Sequence, residues 1–462
     1  MKTPDYRLTD SLLPVRWTLA ATSLGFIVVQ LDVTIVNVAM PQIGRNLNTG
    51  MTGLQWIVDA YTLAFAALLL TAGSLGDYFG SKRVFCCGLA LFGCASLVCA
   101  ISPSAGVLIM ARAVQGAGAA LIQPTSLALL TYACRGNSEA RHHAIGWWSA
   151  IGGVVSAAGP VVGGALTSYF TWRSIFFINL PICLLGWLAC RRYVSETDAI
   201  GTQRFDIAGQ ISGIVGVFFL THAIIEGGAK GVMATPVMLS FIAAGASLLL
   251  FVLVERRATS PMLPLYLFRD RAFSAAILLG VIMNITFYGS IFVLSIYFQH
   301  VKGYSPTQAG FALLPFTIIM LANLISARLS ARYSPVMTIV TGFALSALAF
   351  VMLHGVDESS SYLLRFLPAL LLLALGAGIG TPALISLTIG CVEPQRSATA
   401  SAALNAARQI GSAIGVALFG AWLVGTTGDI VSGVSDAFDL SAVLRFIGVL
   451  VAAIYLGARR PK

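Results

Sequence analysis

The stretch Leu31-Asp-Val-Thr-Ile-Val-Asn-Val-Ala-Met-Pro41 places an acid near the end of an apolar run that begins at about Trp17. About 20 apolar residues cross a bilayer as a helix, and a carboxylate inside such a run costs roughly 2.5 to 3.5 kcal/mol. At about 1.5 Å per helical residue, Asp32 lies about 22 Å from the edge at Trp17. We expect Asp32 to gain and lose a proton during function; the alternative is a hydrogen-bonded acid that merely orients the helix end.

The composition is that of a membrane protein with many helical spans. Of 462 residues, 57% are hydrophobic and 10% are charged, whereas soluble domains carry about 25% charged residues. The net charge of +10 is unevenly placed: with a cytoplasmic amino terminus, 20 of 28 Lys and Arg lie in cytoplasmic segments, five in outer loops and three in spans. This asymmetry follows the positive-inside rule and argues against nucleic acid as the partner. It predicts a multi-pass protein of the bacterial inner membrane with both termini cytoplasmic.

Fourteen apolar runs are long enough to span a bilayer. They lie at about 17–37, 54–75, 84–101, 107–132, 144–170, 175–190, 207–225, 236–254, 272–298, 309–329, 336–353, 367–389, 398–424 and 441–457. Charged connectors divide them six, two and six, so the predicted fold is all-α, with two six-helix bundles and an inserted helix pair. The predicted domains are residues 1–192, 193–258 and 259–462. The segment 75–80 is weakly similar to 329–334, which suggests duplicated bundles.

A short basic turn joins the second and third runs: Gly73-Ser-Leu-Gly-Asp-Tyr-Phe-Gly-Ser-Lys-Arg83. Glycines permit a tight reversal, Asp77 can accept bonds from helix-end amides, and the two cations anchor a cytoplasmic face. An ordinary basic hairpin is the alternative. The turn resembles the signature loop of the major facilitator superfamily, G-x-L-x-D-x-x-G-x-[KR]-[KR].

With fourteen spans and the 31–41 stretch, the chain is more specifically similar to the drug:proton antiporters of the EmrB/QacA type. The resemblance covers essentially the whole chain. In that family the signature loop acts as a latch between the two bundles on the cytoplasmic side. The resemblance therefore implies a gating role for Gly73, Asp77, Gly80, Lys82 and Arg83.

Arg112 begins the stretch Arg-Ala-Val-Gln-Gly-Ala-Gly118 and lies about 7 Å inside the fourth span by helical rise. A permanent charge at this depth needs a partner. Asp59 and Asp32 lie at a similar depth, so the three predict a cluster in which protonation of an acid releases or recruits Arg112. A purely structural ion pair is the alternative. By resemblance, Arg112 occupies the proton-relay arginine position of the family.

Two stretches of the fifth and sixth spans carry further resemblance. Gly159, Pro160, Gly163 and Gly164 predict a kinked, closely packed helix; such a motif is typical of exporters in this superfamily, although Val155 replaces its usual additional glycine. A simple packing kink explains the same residues. The stretch from Trp172 to Pro181 is similar to W-R-x-x-F-x-x-N-x-P of the fourteen-span group, and we expect it to be structural.

The carboxyl-terminal bundle has no acid in its predicted spans. Its polar candidates for lining a cavity are Asn284, Asn323, Asn405 and Arg408; Asn37 and Gln115 are the candidates in the amino-terminal bundle. Arg408 needs an acid, a carbonyl or an anionic ligand, and we expect a structural or gating contact rather than substrate binding.

No cofactor is expected, because no phosphate-binding G-x-x-x-x-G-K-[ST], zinc or nucleophile motif occurs. The eight cysteines predict apolar packing without disulfide or metal. Because no zinc or nucleophile motif occurs, the chain is not expected to be an enzyme. The predicted function is proton-coupled efflux of lipophilic, often cationic, toxic compounds by alternating access, with the proton gradient as energy source. A dedicated exporter of a metabolite, siderophore or antibiotic is the alternative, and a non-transporting receptor or scaffold is the remote one. Expected partners are small-molecule substrate, protons and lipid, with a periplasmic adaptor and outer-membrane channel left open.

Overall fold

The computed structural model describes residues 8–135, 138–197, 206–258, 261, 263–393, 397–425 and 430–456, and all regular structure in these residues is helical. The α-helices are α1 Leu8–Asn46, α2 Met51–Phe79, α3 Ser81–Ala100, α4 Ala105–Ala133, α5 Ser138–Tyr169, α6 Ser174–Phe177, α7 Asn179–Tyr193, α8 Ile207–Lys230, α9 Thr235–Arg257, α10 Arg271–His300, α11 Pro306–Ala312, α12 Ile319–Arg332, α13 Pro335–Met352, α14 Leu367–Gly390, α15 Ser397–Gly425 and α16 Ile430–Val451. Short 3-10 segments lie at Leu265–Arg269 and Leu314–Ile318, and π-helical turns lie at Tyr362–Phe366 and Ala452–Leu456.

Thirteen helical segments are long and apolar enough to span a membrane, and a bent pair within α5 makes up to fourteen. The bend, 41° between His143–Ser156 and Ala158–Tyr169, lies just before Pro160, which cannot donate a backbone hydrogen bond. These spans confirm the predicted all-α polytopic fold. The predicted domain boundaries stay predictions; the first falls in the last turn of α7, and the second follows α9.

One predicted span begins too late. The hydropathy of the sequence predicts the last span at 441–457, but α16 begins at Ile430. Its first turns carry Asp436 and Asp439, which lower the hydropathy of the sequence, yet Gly433, Val434, Ala437 and Phe438 form a buried stripe at helical spacing. The acids lie outside that stripe, and Asp439 pairs with the exposed His354 at 2.7 Å.

The inserted pair α8 and α9 lies beside the line along which the two bundles meet. Helix α8 contacts α2 of the amino-terminal bundle and α15 of the carboxyl-terminal bundle, whereas α9 packs mainly on α8. Only 17% of the α9 span is buried. We therefore assign α9 to the lipid-facing surface and α8 to the seam between bundles.

We call the end of the molecule where α1 passes into α2 the Asn46 end, and the opposite end, where α2 passes into α3, the Gly80 end. The bundles are joined by hydrogen bonds in the half nearer the Asn46 end. Ser295 Oγ donates to the backbone O of Asn37 at 2.8 Å, and Gln299 Nε2 donates to the backbone O of Val38 at 3.0 Å. Gln55 Nε2 donates to the backbone O of Ala417 at 2.7 Å, which ties α2 to α15.

A second contact between bundles at this end joins α5 and α11 through glycines. A Cβ atom on Gly164 would lie 2.4 Å from the backbone O of Pro306, and one on Gly310 would lie 2.4 Å from the backbone O of Pro160. Only hydrogen at these two positions lets the backbones approach so closely. On the other side of α5, Gly163 meets the backbone O of Ile35 in α1 in the same way, at 2.6 Å.

Replacing Gly164 by Val should push α5 away from α11, because overpacking of a closed interface costs roughly 1 to 3 kcal/mol. The expected result is a lower midpoint of thermal unfolding in detergent for Gly164→Val. Gly153→Val is the matched control, since a Cβ atom at Gly153 in the same helix has nothing within 4 Å. Equal midpoints for the two variants would contradict the assigned contact.

Candidate functional site

The acid of the 31–41 stretch lies inside the amino-terminal bundle and forms an ion pair. Asp32 on α1 and Arg112 on α4 are 0% and 1% exposed, and Arg112 Nη1 donates to Asp32 Oδ2. Arg112 Nε also donates to the backbone O of Ile57 on α2 at 3.1 Å. The ring of Tyr61 lies beneath the guanidinium, with Cζ 4.3 Å from the ring centroid. The charge of Arg112 is thus met by a carboxylate, a carbonyl and an aromatic face.

Amide side chains complete the site around Asp32. Gln115 Nε2 donates to Asp32 Oδ1 at 2.9 Å and to Ser96 Oγ at 2.8 Å, while its Oε1 accepts from Arg112 Nη1 at 2.8 Å. Asn179 Nδ2 donates to Asp32 Oδ1 at 3.3 Å and to Ser96 Oγ at 3.4 Å. Both carboxylate oxygens therefore have bonding partners, as a buried charge requires.

Sequence reasoning missed two members of this network and misplaced a third. Ser96 on α3 had no distinguishing signal, because single serines are common in transmembrane helices. Asn179 was visible in the Trp172 to Pro181 stretch, but it was read as structural. Gln115 was expected to line a cavity, and it is instead fully buried between Asp32, Ser96 and Arg112.

Asp59 does not join the cluster, which corrects the expected three-residue arrangement. It is 0% exposed, and neither carboxylate oxygen has a hydrogen-bond partner among the described residues. The reason is rotational: Ile57 and Tyr61 face Arg112, whereas Asp59 lies one turn beyond Gln55, the residue that contacts α15. At about 100° per residue, Asp59 points to the seam between bundles rather than into the amino-terminal bundle.

The signature turn is held by the connector that follows α7. Gly80 has φ +92°, a backbone conformation that favours glycine, and it lies against the Glu196 carboxylate. Glu196 Oε1 accepts from the backbone N of Lys82 at 2.8 Å, and Thr197 Oγ1 accepts from the backbone N of Ser81 at 2.8 Å. These acceptors cap the first amides of α3, where a negative charge is favoured.

The turn was expected to latch the two bundles, and the observed partners differ. Arg83 Nε lies 3.7 Å from Glu196 Oε2, and Lys82 Nζ donates to the backbone O of Arg191 at 3.2 Å. Both partners precede the inserted helix pair and lie outside the carboxyl-terminal bundle. Gly73 has open space around its Cα, and the side chain of Asp77 lies outside the described residues.

The α5 motif separates into two contact surfaces. Gly159 and Gly163 lie against α1, at Thr34 and Ile35, whereas Pro160 and Gly164 lie against α11 of the other bundle. The motif therefore sits where the helix that carries Asp32 and the opposite bundle both meet α5.

The remaining cavity candidates lie in different surroundings. Asn37 is buried, and its backbone O takes part in the contact between bundles. Asn323 makes no hydrogen bond within the described part of the chain. Asn284 Oδ1 and Asn405 Oδ1 accept from Arg408 Nε and Nη1 at 3.4 and 3.5 Å.

Arg445 is a further intramembrane arginine, which sequence reasoning did not select. It is 0% exposed on α16, and its Nε donates to Thr286 Oγ1 at 2.7 Å. Its Nη2 donates to the backbone O of Met283 at 3.1 Å, and its Cζ lies 5.1 Å from the Phe343 ring centroid. Arg445 could have been recognised from the sequence, because it is the single charged residue in the apolar run 441–457.

A family model described as Major Facilitator Superfamily matches residues 22–416 and 277–462. The chain belongs to the major facilitator superfamily. It is 40% identical to the methylenomycin A resistance protein of Streptomyces coelicolor, over 95% of this chain and 90% of that one. It is 34% identical to the protein of the same name from Bacillus subtilis, over 95% and 94%. It is also 34% identical to the drug efflux pump JefA of Mycobacterium tuberculosis, over 88% and 81%.

The solved structures agree in fold. A peptide transporter POT in complex with sulfate superposes with a TM-score of 0.71 at 15% identity, covering 95% of this chain and 95% of the other. The nucleoside transporter NupG gives 0.66 at 10%, covering 95% and 99%. Family and relatives together confirm the predicted class of function: this superfamily member is a multi-pass drug efflux transporter and not an enzyme.

The Asp32–Arg112 pair should behave as one energetic unit. Removing either partner leaves a buried charge uncompensated, so Asp32→Asn and Arg112→Gln should each lower the free energy of unfolding by about 3 to 5 kcal/mol. The double variant should lose less than the sum of the two, because no charge remains. Denaturant unfolding in mixed micelles measures the cycle. Strictly additive losses would show that the two side chains do not interact.

Glu196→Ala should expose the first amides of α3, because it removes their carboxylate acceptor. Loss of such a cap costs about 1 kcal/mol, which corresponds to roughly fivefold faster hydrogen exchange at Ser81 and Lys82. Peptide-resolved hydrogen exchange measures this change. Glu393→Ala, which removes an exposed acid at the same end, is the matched control and should leave the exchange unchanged. Unchanged exchange in Glu196→Ala would remove Glu196 from the cap.

Proposed function

We propose that this transporter expels antibiotic-type compounds from the cytoplasm in exchange for protons, by alternating access. The observation that carries the proposal is the buried Asp32–Arg112 pair with its Gln115 and Asn179 amides. Protonation of Asp32 would remove the counter-charge of Arg112, and the arginine would then need a different partner. Such a change links proton binding to the packing of α1 against α4.

The proposed orientation places both termini and the Gly80 end in the cytoplasm of a bacterial cell, with the protein in the inner membrane. It rests on the distribution of Lys and Arg, 20 of 28 in cytoplasmic segments and five in outer loops. In this orientation the Asn46 end faces outward. The bonds from Ser295, Gln299 and Gln55 then close the outer side of the path. Assembly with a periplasmic adaptor and an outer-membrane channel stays a prediction.

A narrow substrate range is the second candidate. Two relatives that cover 95% of this chain carry the name methylenomycin A resistance protein, which favours a dedicated antibiotic exporter over a broad one. Growth inhibition separates the two candidates. A dedicated exporter should protect cells against methylenomycin A alone, whereas a broad one should also protect against chemically unrelated cations.

The free energy released by proton entry limits the substrate gradient that the transporter can maintain. One proton entering down about 100 mV and one pH unit releases about 2.3 plus 1.4 kcal/mol. A monovalent cation leaving for one proton moves no net charge, so only the pH difference, about tenfold, drives it. A second proton on Asp59 would restore the contribution of the voltage.

We expect Asp32→Asn to abolish proton-coupled export, because no other acid of the described spans is paired with Arg112. Asp59→Asn should weaken export of cations and spare neutral substrates. Substrate gradients are measured in proteoliposomes with the pH difference and the voltage set independently, at matched protein content. Full coupling in Asp32→Asn would refute the proposed role, and voltage-insensitive cation export by the unmodified protein would refute the two-proton arrangement.

A further inference from the structure

Three arginines lie in the interior of the described spans, and only Arg408 is both partly exposed and held by long hydrogen bonds alone. Arg112 and Arg445 are 1% and 0% exposed, and both are held by short hydrogen bonds and an aromatic face. Arg408 is partly exposed, and its two bonds, to Asn284 and Asn405, are long at 3.4 and 3.5 Å. A guanidinium has five N–H donors, so three of those on Arg408 have no acceptor among the described residues.

Arg408 lies near the middle of α15, on the Gly80 side of the hydrogen bonds that join the two bundles. It is the twelfth residue of α15, about 17 Å from the start of that helix. It precedes Ala417, which is bound by Gln55, by about 13 Å of helix. Its Cγ lies 3.2 Å from the position of a Cβ atom on Gly280 in α10, so it extends along α10. Arg408 therefore lies between the Gly80 end and the hydrogen bonds that join the two bundles.

The groups around Arg408 also offer donors rather than acceptors. Asn284 and Asn405 both turn Oδ1 toward the guanidinium, which leaves their Nδ2 amino groups without an acceptor within the described part of the chain. Tyr288 lies one turn after Asn284 on α10, so its hydroxyl can approach the same face of that helix. This hydroxyl likewise has no hydrogen-bond partner among the described residues.

No acid is placed to neutralise this cluster. Asp32 is saturated by Arg112 and two amides. Asp59 lies beside Gln55 and forms no ion pair, while the contacts of Arg408 are with α10 and its own helix. Asp436 and Asp439 lie in the first turns of α16, at the Asn46 end. A cation in a low-dielectric interior without a counter-ion is unfavourable, and an anionic ligand would relieve that cost.

We propose that Arg408, with Asn284, Asn405 and Tyr288, binds the carboxylate of the exported compound. The planar guanidinium presents parallel N–H groups that match the two oxygens of a carboxylate, and the amide and phenol groups add neutral donors. The inference rests on the proposed export function and proposes lipophilic carboxylic acids as substrates, where the sequence led us to expect cations. It also replaces the expected structural role of Arg408 by substrate binding.

Binding is tested on purified protein in nanodiscs, without any gradient, so the result does not depend on proton coupling. The probes are acids paired with their primary amides: 1-naphthaleneacetate, benzoate and cyclohexanecarboxylate. Ligand-dependent thermal shifts give the affinities. At least one acid should bind tenfold or more tightly than its amide. Arg408→Gln should reduce that ratio to below twofold with little change for the amide, and Arg408→Lys should retain part of it.

Arg328→Gln, which removes an exposed arginine of α12 in the same bundle, is the matched control and should keep the full ratio. The proposal is overturned if no acid binds more tightly than its amide, or if Arg408→Gln keeps the preference.

Transport distinguishes this inference from the function on which it rests. A carboxylate leaving and a proton entering move charge in the same sense, so inside-negative voltage should increase the gradient of the acid in proteoliposomes. Exchange of a monovalent cation for one proton would not respond. Carboxylate binding at Arg408 without proton-driven export would refute the proposed function alone. Proton-driven export that is insensitive to Arg408→Gln would refute the carboxylate site alone.

Discussion

The buried pair of Asp32 and Arg112 is the interaction on which the amino-terminal bundle depends. Neither charge can lie alone in the interior of a bilayer protein, so α1 and α4 must present them to each other. The remaining oxygen of Asp32 draws in Gln115 and Asn179, and through Ser96 the same bonds reach α3. Four helices are thereby placed by one carboxylate. Any change in its protonation alters the packing of all four.

Around this fixed core, the contact between bundles is built from groups that separate easily. The glycines of α5 and α11 bring backbones together without interlocking side chains, and the bonds from Ser295 and Gln299 end on backbone carbonyls. Helix α8 covers the other side of the seam. Its Gln210 bonds to α2, while its Gly228 lies against Ala421 of α15. Contacts of this kind suit two bundles that rock against each other.

The three arginines show how surroundings decide the role of one residue type. Arg112 and Arg445 are fully buried, and each has hydrogen-bond acceptors and an aromatic ring as partners. Arg408 makes only two long hydrogen bonds, to amide oxygens, and is partly exposed. Asp32 is already paired with Arg112, and Arg408 has no acid among its described contacts. This is why we propose an anion as the ligand of Arg408.

The sequence alone determined the helical membrane fold and the family, and it predicted the pairing of Asp32 with Arg112, because hydropathy and the cost of charge in a bilayer act locally along the chain. It also pointed to the α5 glycines and the signature turn. The tertiary structure decided what those local rules leave open: that Asp59 points to the seam and not to Arg112, that Glu196 holds the turn, that Asn179 and Ser96 complete the site, and that α16 begins at Ile430. The direction of Asp59 and the contacts of Asn179 and Ser96 depend on how far one helix is rotated against another. Composition and spacing constrain that rotation only weakly, and the packing of helices from distant parts of the chain settles it.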